Sequence, residues 1–590
     1  MLILVTLIII TALSLIGYGR LLIWTLNLFK IFPNSSFSTS DYSLLGIFVV
    51  MTLAIVGNFF IPLSNFSGVI TLILGVLILI LFNKKSNLSF ILFIKQNSTS
   101  FLIMTLCVVL VMARLETSQI MTYQTYKTVY HFDTGLYHMP FLQWIASYPI
   151  PIGLANLHGR FGFNSSWLIF HSAWRFPWIG WSSLPMVEGW IWTLGLWILG
   201  EGLVNSWTKF AHGNRILLIT LALMFFINFG INPPGSVVST DHAANIVALL
   251  VVVYFLEFLN AIKEQNASKI QRGILLMIIS SCLAITGKLS MLPIICFPMI
   301  GCLMMSKTLT MWRFLIVSLT VGVIFFFLWI LRNFLLSGCL VYPVAFTCSD
   351  LVSWGVGSQQ AIIEKNDVTA WARSPGTDYL KSLDNYNWLT SWFIRLLDNP
   401  TIKLVFISLS LSLFLPIFEI LKIQYYQEDK ERIAKSTDFA LIVLIAVLGL
   451  LLWFFNGPDP RFSWSFLILA SVPTTSFWLT LFNITKAFDL LTKVFQQKVT
   501  YYILIIVIMI VFTQYSSKLF DLTPWDKAPN VDFSQKVLPK NGQIIYTPLQ
   551  NNESLEIYQC WAIPIPCTPY SNDKLSFKKQ WGYIIISKNL

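Results

Sequence analysis

Runs of apolar residues recur along the whole chain, many of them about 17–22 residues long. That is the length an α-helix needs to cross a hydrocarbon core of about 30 Å. A transmembrane β-barrel would instead alternate at period two over about ten residues. The pattern therefore predicts an all-α polytopic membrane protein with about fourteen spans, at 2–18, 43–64, 68–83, 100–113, 186–206, 215–232, 241–260, 272–287, 289–305, 313–331, 401–422, 438–456, 463–482 and 500–516. The opening MLILVTLIIITALSLIG has neither a charged leader nor a small-residue cleavage site, and reads as a retained first span.

The polar stretches divide this array. N-terminal spans (1–113) are followed by a first large loop with juxtamembrane helices (114–185). Central spans (186–331), a second polar, partly helical loop (332–400) and C-terminal spans (401–516) come next. Residues 517–590 read as a small α/β or β cap, with strand-like pieces at 543–549 and 581–587. The stretch NSSWLIFHSAWRFPWIGWSSLPM (164–186) is apolar but short and interrupted by Arg175, Pro177 and Pro185. It reads as an interfacial or re-entrant piece; if it crossed, every later side assignment would invert.

Charge orients the array. Only 11% of residues are charged and 56% are apolar, against roughly 25% charged in a soluble protein. Mean hydropathy is +0.70. The net charge of +12 is spread over short connections such as 84–99, 261–272, 422–438 and 484–499, which the positive-inside rule assigns to the cytoplasm. No contiguous basic face exists, so a nucleic-acid partner is excluded. The large loops, the GPDPRFSW turn (457–464) and the C-terminus then fall outside. Cys339/Cys348 and Cys560/Cys567 lie on that side, as disulfides or as free thiols. Cys107, Cys282, Cys296 and Cys302, in or beside spans, read as packing residues.

The same side collects the candidate chemistry. His131, His138, His158 and, just beyond, His171 make four of the six histidines, and Asp133 and Arg160 stand among them. An intramembrane or membrane-edge ionisable group is costly and implies a use. Asp133, desolvated by Phe132, Leu136 and Tyr137, suits a general base, or else simply caps a helix. Asp241, beside His242 at the mouth of the next span, carries the same two readings. Two acids from different helix mouths could share a proton or a divalent cation. Lys288, Arg332 and Arg461 are outer-side bases that the positive-inside bias disfavours; a lipid phosphate would explain them, and for Arg461 so would a structural pair with Asp459. His138 and His158 suit acid–base or sugar-binding roles. Without HxxxH or HExxH spacing no metal site is assigned. Glu188 lies near the outer end of its span, Glu201 thirteen residues on. Walker A, Rossmann and GxSxG patterns are absent, which leaves ATP-driven transport and dinucleotide chemistry without support.

The strings FDTGLYH, NLHGRFGFNSSW, RNFLLSG, GPDPRF and CWAIPIPCTPY, scattered over roughly 131–570, resemble a bacterial multi-pass family associated with the GT-C superfamily of membrane glycosyltransferases. That resemblance implies a polyprenyl-phosphate-sugar donor, an acceptor glycan, lipid or protein, and transfer at the outer face of the bacterial cytoplasmic membrane. Asp133 would be the general base and Asp241 would orient the acceptor or help hold a cation. A base among Lys288, Arg332 and Arg461 would stabilise the departing lipid phosphate, with His138, His158 and Arg160 among the substrate contacts. The chain departs from the superfamily pattern in two ways: three extra spans precede the acidic loop, and TGLYH follows Asp133 where a second acid would stand. A lipid or sugar transporter, and an envelope polysaccharide polymerase or ligase, are the competing readings.

Overall fold

The computed structural model describes residues 2–28, 37–64, 66–85, 90–126, 132–206, 212–231, 240–305, 312–376, 379–399, 436–481, 531–538, 542–549, 559–569 and 574–588, with single positions between 402 and 407. Seventeen helices dominate these residues. They are α1 (Leu2–Asn27), α2 (Thr39–Phe60), α3 (Ser67–Lys85), α4 (Phe90–Gln96), α5 (Ser98–Tyr126), α6 (Met139–Ser147), α7 (Ser166–Ala173), α8 (Ser183–Ser206), α9 (His212–Ile231), α10 (Thr240–Lys263), α11 (Ala267–Gly287), α12 (Cys296–Met305), α13 (Trp312–Ser337), α14 (Gly357–Arg373), α15 (Trp388–Asp398), α16 (Ser436–Asn456) and α17 (Trp464–Leu481).

Among the described residues six helices are long and apolar enough to cross a membrane: α1, α2, the first part of α5, α10, α11 and α13. The protein is a helical membrane protein. The fourteen expected spans are thus not all matched. That at 500–516 and nearly all of that at 401–422 lie outside the described residues, and six others form helices that are shorter or less apolar. The segment at 289–305 is helical but short for a crossing: it begins as a 3₁₀ stretch, Leu289–Ile295, with Pro293 inside it, and passes directly into α12. The Trp-rich stretch at 164–186 holds α7, eight residues and about 12 Å long and too short to cross, then a 3₁₀ turn at Gly180–Ser182, and ends in the first turn of α8.

Close helix approach holds the first three helices together. A Cβ on Gly17 would fall 2.0 Å from the Gly75 carbonyl oxygen, and one on Gly46 would fall 1.9 Å from that of Leu15. In lipid, where burial of apolar surface gives little drive, such small-residue contacts supply packing. α10 and α11 pack as a buried central pair. α13 instead exposes Ile316, Leu319, Val323 and Phe327, an apolar stripe suited to lipid tails.

The first large loop folds over one end of this bundle. Ile150 donates to the Asn58 carbonyl (2.7 Å), Gly153 to that of Leu335 (2.7 Å), and Ser165 Oγ to that of Gly287 (2.9 Å), near the ends of α2, α13 and α11. The C-terminal region forms two small antiparallel sheets, β1 (Phe533–Val537) with β2 (Ile544–Pro548), and β3 (Leu575–Gln580) with β4 (Tyr583–Lys588). Both sit on that loop: the Ile152 N–H donates to the Ile584 carbonyl (2.9 Å) and the Ile152 carbonyl accepts from the Ile586 N–H (2.8 Å), while Thr568 Oγ1 donates to the Leu157 carbonyl (3.1 Å). Cys339–Cys348 and Cys560–Cys567 are both disulfide-bonded, which closes the alternative left open by spacing.

Candidate functional site

Asp133 has helical backbone dihedrals (φ −62°, ψ −25°) and leads directly into a π-helical turn, Thr134–His138, that runs on into α6. Such turns recur at functional positions because the extra residue re-aims side chains. The carboxylate makes no capping bond. It accepts instead from Arg461 Nη1 at 3.0 Å. Arg461 is aimed by its own turn. Asp459 caps the 3₁₀ turn Pro460–Phe462, accepting from the Arg461 backbone N–H (3.1 Å), while Trp453 and Trp392 indoles clamp the Asp459 and Pro458 carbonyls. The Arg461 guanidinium Nε lies 3.3 Å from Asp459 Oδ2 and 3.9 Å from Asp241 Oδ2. One arginine therefore serves three carboxylates.

Asp241, in the first turn of α10, is also held by the Lys288 ammonium, which follows the last residue of α11. Lys288 Nζ rests 3.4 Å from the Phe462 ring centroid, a cation–π contact that fixes it over the Arg461 turn. The order Lys288–Asp241–Arg461–Asp133 is a continuous charge chain at one end of the bundle. Burial pushes the Lys288 amine below its ordinary range, against the pull of Asp241. The guanidinium of Arg461 is held further on its charged side: Asp459, Asp133 and Asp241 outweigh its burial. Tyr137, one turn past Asp133, has its hydroxyl pushed well above 10 by burial and then by the Asp133 charge.

The other sequence-predicted residues separate. Arg160 pairs with Glu364 (3.2 Å) and Asp367 (2.8 Å) of α14, joining the first loop to the second. His158 Nδ1 accepts the Arg160 backbone N–H (3.2 Å); burial, then the Arg160 charge, lowers the imidazole to about 3, so it is neutral at ordinary pH. His138 is buried with its ring 4.2 Å from that of Tyr137. Arg332 is wholly buried and donates to Asn58 Oδ1 (2.8 Å), apart from the chain of charges. His131 lies outside the described residues. No three His, Cys, Asp or Glu side chains converge as a metal-binding group among the described residues, and Arg461 stands between Asp133 and Asp241.

Two further contributors complete the site. Asn245, one helical turn beyond Asp241, donates to the Asp241 carbonyl (2.8 Å) and the Arg461 carbonyl (3.3 Å), and accepts from Ser465. The signal was present: an amide within an otherwise apolar span. The second is the C-terminal disulfide loop. Trp561 donates its backbone N–H to the Gly135 carbonyl (2.9 Å), and Gln559 Nε2 donates to that of Phe132 (2.8 Å), so the loop closes over both sides of Asp133. Glu188 faces His242, 2.7 Å from its Nδ1.

The fold and this charge chain define a helical membrane protein with an ionic site at one end of its bundle. The chain belongs to the family described as "Domain of unknown function (DUF8201)", which matches residues 1–468. Asp133, Asp241, Lys288 and Arg461 all fall within that match, and the β-sheets lie beyond it. No curated protein and no solved structure matches the chain.

Proposed function

We propose that the protein is an integral membrane glycosyltransferase of GT-C type. It moves a sugar from a polyprenyl-phosphate donor to an acceptor hydroxyl on the outer face of the cytoplasmic membrane. The observation that carries this reading is that Asp133 and Asp241, from different parts of the chain, meet on Arg461 beside Lys288 at the end of membrane-length helices. In the resting state Arg461 is divided among three carboxylates. A lipid phosphate competes for it and for Lys288, since a guanidinium suits bidentate phosphate contacts. Asp133 is then released to accept the acceptor's hydroxyl proton. The acceptor oxygen bonds to the anomeric carbon as the bond from that carbon to the phosphate oxygen breaks, and the lipid phosphate leaves with the electron pair. Lys288 and Arg461 stabilise that charge where it develops. Both disulfides near this end suit an oxidising exterior. On this reading α3, α8, α9, α16 and α17 cross together with the six long helices.

Proteoliposomes given radiolabelled hexosyl- and pentosyl-polyprenyl phosphates and a mixture of glycan and lipid acceptors test this. A labelled covalent product is expected. Movement of the intact donor across the bilayer without any product would replace transfer by transport.

A further inference from the structure

A second polar site lies at the same end of the bundle, on the side of α3. A cavity of about 290 Å³ is lined by Ser64, Gln143, Ala146, Ser147, Arg175 and Trp181. It opens between the α2–α3 connection, the end of α6 and the chain after α7. Arg175 is only 8% exposed, yet among the described residues no carboxylate pairs with it. Among the described residues its one side-chain hydrogen bond is long, 3.4 Å from Nη1 to the Leu142 carbonyl, and its guanidinium carbon sits 4.7 Å from the Trp181 ring centroid. Burial pushes the guanidinium down to about 10. A buried cation with most of its donors unused needs an anion. The Gln143 Oε1 beside it is also buried and accepts no hydrogen bond among the described residues. Position explains what the anion is. The segments that supply the lining also carry exposed Phe60, Ile61, Phe66, Ile70 and Trp178, apolar and aromatic side chains of the kind that sit where helix ends meet the headgroup layer. The backbone on both sides is pinned, with Gly68 donating to the Arg175 carbonyl (2.9 Å) and Ser67 Oγ to that of Ser172 (2.5 Å).

We infer that this cavity binds the phosphodiester headgroup of a membrane phospholipid, with Arg175 on the phosphate and Gln143 Oε1 accepting from a headgroup hydroxyl, while the acyl chains lie along α3. The inference does not depend on the sugar-transfer reading, and its test reads binding alone. The purified full-length protein is delipidated in mild detergent, and native mass spectrometry and thermal melting follow addition of phosphatidylglycerol, diacylglycerol or inorganic phosphate. Phosphatidylglycerol is expected to be retained and to raise the melting temperature, whereas the other two leave it unchanged. Arg175→Gln is expected to weaken retention about tenfold or more, the scale of a lost charge-assisted hydrogen bond. Gln143→Glu keeps the arginine and the cavity's size but supplies an internal carboxylate, and is expected to displace the lipid equally. Undiminished retention in Gln143→Glu overturns the site. An equal response to diacylglycerol overturns phosphate recognition, and a full response to inorganic phosphate alone overturns the lipid as its source.

Discussion

Charged residues in an apolar chain carry more information than charges in a soluble one, because each must be explained by a partner or a use. Asp133, Asp241, Lys288 and Arg461 were legible for that reason, and the structure brings them together. Arg332 was legible as unusual but not as to its role. Counted from the sequence it ended a span; α13 in fact runs on to Ser337, and the side chain is held within the helix packing by Asn58. The depth of a residue along a helix is set by where the helix stops, which hydropathy alone leaves uncertain by several residues. His158 gives a test at this scale. Its neutral ring is favoured in the folded state, with its pKa lowered to about 3 from 6.5. Its contribution is therefore complete above pH 6.5 and is lost as pH falls toward 3. Thermal melts are expected to show at most about 2 kcal/mol lost through this group by pH 5. His158→Asn, which keeps a capping acceptor but does not titrate, is expected to flatten that part of the profile; an unchanged profile would assign the acid sensitivity to other groups.

At the scale of elements, long helices were readable from apolar runs, and short ones were not. Strands near 543–549 and 581–587 showed as short apolar runs, but their partners carry lysines, β1 being exposed throughout and β3 burying only Leu575, so no pattern marked them. The docking of the Cys560–Cys567 loop on the π-turn was invisible because it joins segments more than four hundred residues apart. It rests on a glycine for steric reasons: a Cβ at Gly135 would fall 2.2 Å from the Trp561 indole. Gly135→Val is therefore expected to lift the loop from Asp133. Limited proteolysis should then cut the C-terminal region much faster than in the parent protein while the helical bundle stays intact; unchanged protection would mean that the contact at Trp561 does not hold the cap.

Across the whole molecule, charge is placed at two opposite ends of the bundle. Asp241 and Glu257 are about 24 Å apart along α10, and Arg272 and Lys288 are similarly spaced across α11. At the end away from the site, Arg272 joins Asp41 (2.7 Å) and Glu257 (2.6 Å), with the Tyr254 hydroxyl 3.2 Å from Asp41 Oδ1. Glu201, further along α8, is hydrogen-bonded by Thr39, Ser40 and Ser100. These buried groups satisfy one another and tie α2, α8, α10 and α11. Arg272→Ala strands two carboxylates and is expected to cost about 3–5 kcal/mol in detergent melts; a loss below about 1 kcal/mol would contradict a structural role. The two ends thus divide the work, one holding the helices and one presenting a shared arginine.

The most direct test is steady-state sugar transfer by Asp133→Asn in proteoliposomes, with donor affinity and melting temperature measured on the same preparation. Asn keeps the size of the side chain and removes its capacity to take a proton. Turnover is expected to fall by about 10²–10⁴, with donor affinity unchanged or raised because Arg461 loses a competing carboxylate, and with melting temperature little changed. Turnover equal to that of the parent protein would show that Asp133 is not the base.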